Sequence, residues 1–92
     1  MRPKTLAAVA QLALHGDSFD RCLANFLDEF YAAPNAGALA DAPILLAPSL
    51  GRSGSVQDAY LAATAEELAR AHQFPVPTWT VAEARRLHQP WF

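Results

Sequence analysis

The chain has 92 residues, a formal charge of −2 and a 52% hydrophobic composition, which suits one small domain covering residues 1–92. Its longest basic run is the pair Arg85-Arg86, so it lacks the concentration of positive charge with which proteins bind nucleic acids. Its single cysteine, Cys22, cannot form an internal disulfide. Neither a signal peptide nor a membrane-spanning stretch is predicted, so we expect a cytoplasmic protein.

The first predicted helix covers residues 4–14. Pro3 stands at its start, where a missing amide hydrogen is tolerated, and Gly16 follows its end, as glycine commonly does. Helical spacing directs one set of apolar side chains inward: Leu6, Val9, Leu12 and Ala13.

The clearest amphipathic pattern belongs to a second predicted helix, which is capped by Asp17 or Ser18 and ends at Tyr31. Pro34 prevents its continuation. Large apolar side chains recur at spacings of three and four and form one aromatic-rich stripe: Phe19, Leu23, Phe26, Leu27 and Phe30. The charged residues between them point largely away from this stripe, so the helix is predicted to bury one face.

The middle of the chain has a weaker pattern. Residues 35–41 are compatible with one or two turns of helix. Residues 47–54 contain two glycines, two serines and a proline, which together favour a loop. We therefore predict that this loop is the most flexible segment of the domain.

A further helix is predicted from Ser55 to about His72. Asp58 stands three residues after Ser55, a variant of the capping box in which Asp replaces the usual Glu or Gln. Helical spacing directs a second set of side chains inward: Val56, Tyr60, Leu61, Thr64 and Leu68. Alanines on the same helix allow close packing against a second copy, so a homodimer is compatible with the sequence.

A proline-bracketed strap, residues 74–79, follows this helix. Pro75 and Pro77 cannot continue an α-helix, because proline lacks the amide hydrogen and its ring clashes with the preceding turn. The residues before the prolines are also biased towards extended conformations. We therefore predict that the strap is extended or polyproline-like.

A last helix is predicted at residues 81–88, where Thr80 and Glu83 have the spacing of a complete capping box. No alternation typical of β-strands and no internal repeat is present. The predicted fold class is therefore all-α: a compact bundle of four to five short helices with an extended strap before the last one.

Large aromatic side chains near the end of the chain have two interpretations. Trp79, Trp91 and Phe92 either fold back to complete the core or form an exposed anchor for a partner protein. Tryptophan is favoured at binding hot spots because it brings a large contact area at a small cost in conformational entropy. In the second interpretation, Arg85 and Arg86 supply polar contacts at the edge of the anchor.

No combination of residues predicts catalysis, a metal ion or a cofactor. The histidines, His15, His72 and His88, each fall at or near a predicted helix C-terminus, where imidazole interacts favourably with the helix dipole. Structural zinc needs four close ligands, and no Cys or His pair has a recognised spacing. Cys22 precedes the core residue Leu23 and is interpreted as a small packing residue.

Four segments resemble one family of proteins: FLDEFY at residues 26–31, AEELARAH at 65–72, PVPTW at 75–79 and PWF at 90–92. The family consists of small, largely uncharacterised bacterial helical proteins found in loci that resemble toxin–antitoxin modules. The resemblance implies a cytosolic, non-enzymatic protein that binds a partner, and it brings no catalytic residue with it.

The leading hypothesis is therefore a non-enzymatic protein-interaction module, an antitoxin-like or regulatory partner of a bacterial toxin. One alternative is a DNA-binding transcriptional regulator that uses residues 81–88 as its recognition helix, although only Arg85 and Arg86 would contact DNA there. A second alternative is a small enzyme, which requires Cys22 to meet a histidine and a carboxylate in one pocket. The third is a small helical domain of unknown function.

Overall fold

The fold is built from helices joined by short connections, and a computed structural model describes residues 2–86. The α-helices in chain order are α1 (Leu6–Leu14), α2 (Phe19–Ala32), α3 (Gly37–Ala40) and α4 (Ala47–Ala71). No β-strand occurs in the described residues, so the all-α prediction is confirmed for them. The radius of gyration is 12.4 Å, which agrees with the value of about 12 Å for a compact chain of this length.

α1 begins later than the sequence pattern predicts because Thr5 caps it. The Thr5 hydroxyl accepts a hydrogen bond from the Ala8 amide at 3.0 Å, so Lys4 precedes the helix. After α1, Gly16 adopts a φ of 107°, which glycine reaches easily, and the chain reverses into α2. The buried face of α1 consists of Leu6, Val9, Ala10 and Ala13. Leu12, which helical spacing also predicts to point inward, is only partly buried.

α2 agrees closely with the sequence prediction. The Ser18 hydroxyl accepts a hydrogen bond from the Arg21 amide at 3.3 Å, and the helix ends before Pro34. The centre of the predicted stripe is buried in the core: Leu23, Phe26 and Phe30. Phe19 and Leu27 are partly buried, so they lie at the boundary between the core and the surface.

α3 is a single short helix, which confirms the predicted helical turn within residues 35–41. The Asn35 side chain accepts a hydrogen bond from the Ala38 amide at 2.9 Å and satisfies one donor at the start of this helix. Ala38 and Leu39 are buried, and they join a core to which all the α-helices contribute.

The predicted loop at residues 47–54 is wrong, because this segment forms the beginning of α4. Pro48 lies in the first turn, where its missing amide hydrogen is tolerated. The helix is interrupted at Gly51, whose φ of 62° and ψ of −134° are strained for any residue with a side chain. The residues that favour a loop by composition thus supply a kink inside a helix.

The predicted capping box of Ser55 and Asp58 is also wrong. Asp58 is fully buried, and its carboxylate oxygens accept hydrogen bonds from the Leu46 and Ala47 amides at 2.8 and 3.1 Å. The side chain therefore caps the start of α4 from a position about three turns further along the same helix. The kink at Gly51 makes this contact possible, because it turns the first residues of α4 back over the main part.

The strap (residues 74–79) is less regular than predicted. Residues 74–77 have no regular secondary structure, and the chain then forms a 3-10 turn at Thr78–Val81, so the last two residues of the strap are helical rather than extended. A second 3-10 turn, Glu83–Arg85, follows.

The predicted α-helix at residues 81–88 is replaced, as far as Arg86, by these 3-10 turns. The Thr80 hydroxyl donates a hydrogen bond to the Pro77 carbonyl at 2.9 Å, and the predicted capping bond from the Glu83 amide does not form. Residues 87–92, including the predicted binding residues Trp91 and Phe92, lie outside the described part of the chain.

Candidate functional site

A buried carboxylate and the backbone around it form a feature that we call the polar turn. It consists of Asp58, the Leu46 and Ala47 backbone amides that Asp58 binds, and Gly54. The Leu46 backbone crosses directly over Gly54: a Cβ atom at this glycine would lie 2.4 Å from the Leu46 carbonyl oxygen. Both carboxylate oxygens of Asp58 are already bound to backbone amides, and the side chain is fully buried. The polar turn therefore stabilises the fold and offers no open group to a ligand.

Arg85 reaches the same part of the interior from the second 3-10 turn. It is only 6% exposed, and its guanidinium donates a hydrogen bond to the Pro43 carbonyl. Burial lowers the pKa of the Arg85 guanidinium, and the negative charge of Asp58 opposes that shift. An arginine stays protonated at physiological pH, so Asp58 supplies the nearby negative charge that this buried cation requires.

Trp79 lies beside Arg85 and also points into the domain. Its indole nitrogen donates a hydrogen bond to the Leu39 carbonyl at 2.9 Å, and the Arg85 guanidinium carbon lies 4.8 Å from the centre of its ring. The side chain is partly buried against the core. For Trp79, the interpretation that the aromatic residues complete the core therefore fits the structure.

The predicted binding residues that the structure describes differ in their exposure. Arg85, which was predicted to supply polar contacts at the edge of an interface, is buried, and its role in binding stays a prediction. Arg86 is exposed. Trp91 and Phe92 lie outside the described residues, so their predicted role stays a prediction.

A different surface feature, the α2/α4 groove, has the exposed aromatic side chains that one interpretation of the sequence placed near the end of the chain. One wall is a row of α2 residues at spacings of four, Phe19, Leu23, Leu27 and Tyr31. The other wall is a matching row of α4 residues, Val56, Tyr60, Thr64 and Leu68. Two adjoining hollows share Leu27 and Tyr60 and form one continuous groove, of which the larger section has a volume of about 510 Å³.

Both tyrosines of the chain are in this groove and are largely exposed, Tyr31 at 61% and Tyr60 at 56%. The Tyr60 ring meets the edge of the Phe19 ring with a centroid distance of 6.4 Å. The prediction that Tyr60 points into the core is therefore wrong. The sequence contains a signal for this site. Val56, Tyr60 and Thr64 recur at spacings of four, and this row lies on a different face of the helix from the core residue Leu61.

The charges that line the groove are acidic. Asp20 and Glu67 line its walls, and no Lys or Arg of residues 2–86 does so. Neighbouring acidic residues are paired with arginines, Asp17 with Arg21 at 3.9 Å and Glu66 with Arg70 at 3.1 Å. Asp20 and Glu67 have no such ion pair within the described residues, so the groove carries net negative charge.

His72 lines the groove at the end near Tyr31. Its ring meets the edge of the Phe30 ring at 5.1 Å and stacks on Phe74 at 6.0 Å. His15 and His72 are the C-cap residues of α1 and α4, as their predicted positions at helix ends require. His88 lies outside the described residues.

Cys22 is buried in the core and lies beside Leu23, as predicted for a packing residue. Burial raises the pKa of the Cys22 thiol, and the negative charge of Asp17 raises it further. Nucleophilic cysteines require the opposite shift. Within residues 2–86, no cluster of three or more Cys, His, Asp or Glu side chains is placed to hold a metal ion.

None of the helices in the described part of the chain combines the length and the hydrophobicity needed to span a lipid bilayer. No protein-family model, curated protein or solved structure matches the sequence. The resemblance to small helical proteins of toxin–antitoxin-like loci consequently stays a prediction.

Proposed function

We propose that this chain is a non-enzymatic protein-interaction module and that the α2/α4 groove is its binding surface. The observation that carries the proposal is the pair of exposed tyrosines, Tyr31 and Tyr60, set over an apolar floor. Tyrosine is enriched at binding hot spots, and an apolar groove that stays open on a small domain is a typical feature of a protein-recognition site.

The remaining polar chemistry supports a binding role. The buried ionisable groups Asp58 and Arg85 serve the fold, and the Cys22 thiol has a raised pKa that disfavours nucleophilic attack. The partner class rests on the family resemblance, which favours a bacterial toxin encoded next to this protein, with the present chain as its antitoxin-like or regulatory partner in the cytoplasm.

The alternative of a DNA-binding regulator has less support. It depends on Arg85 and Arg86 within a recognition helix at residues 81–88, but the Arg85 guanidinium donates a hydrogen bond to the Pro43 carbonyl inside the domain. The residues up to Arg86 form 3-10 turns, which do not present the regular row of side chains that a major groove accepts.

Co-expression with the neighbouring open reading frame tests the proposal. The wild-type chain is expected to co-purify with the neighbouring product. The double variant Tyr31→Ser/Tyr60→Ser is expected to lose the complex, because it removes two large contact surfaces from the groove. Val81→Ser is a matched control, since Val81 is 59% exposed but lies outside the groove.

Two results would contradict the proposal. The first is that the complex persists in the tyrosine double variant. The second is that the complex is lost in Val81→Ser while the tyrosine variant still binds. The double variant Trp91→Ala/Phe92→Ala in the same assay tests the predicted binding role of these two residues. Loss of binding only in that variant would assign the interface to residues 87–92.

A further inference from the structure

The chemistry of the α2/α4 groove narrows the class of partner. Resting on the proposed function, we infer that the groove takes a cationic amphipathic α-helix from a different protein, with the apolar face of that helix on the floor of the groove and its Lys or Arg side chains beside Asp20 and Glu67.

The shape of the groove favours a helix. Residue numbers rise along both walls in the same direction: Phe19 lies near Tyr60, and Phe30 lies near His72. The α2 wall from Phe19 to Tyr31 is about 18 Å long, which corresponds to about three turns of an α-helix. An open, nearly straight channel between two helices accepts a third helix by packing its ridges into the spaces between their side chains.

The apolar lining of the groove favours an amphipathic helix over a fully polar segment. The wall rows are apolar along most of their length, and Leu23 and Leu68 at their base belong to the buried core. A bound helix that repeats apolar residues at spacings of three and four would cover these rows and the two tyrosine rings. Its opposite face would remain in water.

The charges distinguish a cationic partner from a second copy of this chain. A second copy docked groove to groove would bring its own Asp20 and Glu67 against those of the first, and like charges in contact disfavour association. A helix with Lys or Arg at its flanks would pair with the same carboxylates. Electrostatic complementarity therefore favours a different, basic partner.

Two synthetic peptides test the inference with the 92-residue chain. Both have the same pattern of leucines on one helical face, but one carries Lys and the other carries Glu at the flanking positions. At low salt, the Lys peptide is expected to bind about tenfold more tightly, because two exposed ion pairs replace two repulsions. The preference should shrink in high salt. Amide chemical shifts locate the binding site, and they are expected to change at Leu27 and Tyr60.

A charge-neutral variant identifies the carboxylates responsible. In Asp20→Asn/Glu67→Gln, the two peptides are expected to bind with affinities that agree within about twofold, since these side chains supply the discrimination. The matched control, Asp28→Asn/Glu29→Gln, removes two carboxylates that lie near Arg2 instead of lining the groove, and it should keep the wild-type preference.

Each other outcome overturns the inference. Equal binding of both peptides in the groove removes the charge argument but leaves the groove as a binding surface. Binding of neither peptide, or shifts confined to another surface, removes the helical occupant, and the co-expression assay then decides the proposed function independently. A dimer in light scattering whose shifts map to the groove assigns the surface to a second copy.

Discussion

The polar turn and the α2/α4 groove lie on the same helix but use their side chains in opposite ways. Asp58 is fully buried and binds two backbone amides, whereas Tyr60, two residues later, is 56% exposed and its hydroxyl-bearing ring lies in an open groove. Two residues correspond to about 200° around a helix, so these side chains are on opposite faces of α4.

This difference between Asp58 and Tyr60 distinguishes a side chain that stabilises the fold from one that is available for binding. At the polar turn, a polar side chain is buried because unsatisfied amides at a helix start would cost more than burying the carboxylate. In the groove, apolar and aromatic surface stays exposed although its burial would be favourable. This unburied apolar row is the surface to which the proposed function assigns a partner.

The largest expected effect concerns the buried carboxylate. Asp58→Ala should lower the free energy of unfolding by about 3 kcal/mol or more, because it leaves two buried amides unsatisfied and removes the negative charge near Arg85. Urea denaturation followed by circular dichroism measures this loss. The matched control is Asp28→Ala, which removes a 70% exposed carboxylate paired with Arg2 and should cost less than about 1 kcal/mol. Equal losses in the two variants would show that Asp58 does not stabilise the turn.

A smaller effect is expected at the glycine beneath the turn. Gly54→Ala places a methyl group 2.4 Å from the Leu46 carbonyl oxygen, and because this neighbour is backbone, the first turn of α4 must move. We expect a loss of about 2 kcal/mol in urea denaturation. Gly37→Ala is the control, since its nearest new contact is the Asn35 side chain at 3.1 Å. A Gly54→Ala protein as stable as the wild type would contradict the close packing of Leu46 over this helix.

The smallest effect on stability is expected in the groove. Tyr60→Ser should lower the free energy of unfolding by no more than about 1 kcal/mol, because the ring is mostly exposed and its described ring contact is an edge contact with Phe19. Phe26→Ala, at a fully buried aromatic residue of α2, should cost about 3–5 kcal/mol in the same denaturation experiment. A comparable loss in both variants would mean that Tyr60 belongs to the core and would weaken its assignment to binding.

Sequence patterns predicted the elements that depend on local chemistry. α2 is capped by Ser18, ends before Pro34 and buries the centre of the predicted stripe, because capping and helical periodicity act between residues close in the chain. Residues 47–54 were predicted as a loop because of their glycines, serines and proline. The side chain that caps their helical start is that of Asp58, which lies beyond the segment. A capping bond that crosses a kink has no signature in a short window of sequence.

The proposed binding surface differs from the one that the sequence indicated. The property expected of it, exposed aromatic surface without catalytic groups, is found in the groove, but it was assigned to Trp79 and to Trp91 and Phe92. Trp79 is held by the Leu39 carbonyl, which lies forty residues earlier. Tyr60 was placed in the core because helical spacing alone does not say which of two adjacent rows meets the rest of the domain.

The sequence by itself determined the all-α class of the described residues, the cap of α2, the helical periodicity of the first two helices and the lack of a long basic run, since these follow from residue types and short spacings. Only the tertiary structure decided that Asp58 caps a turn across a kink, that Arg85 and Trp79 point inward, and that the rows on α2 and α4 border a common groove. Those outcomes depend on which surfaces meet when distant segments pack together, and that choice is made by burial and hydrogen-bond satisfaction over the whole domain.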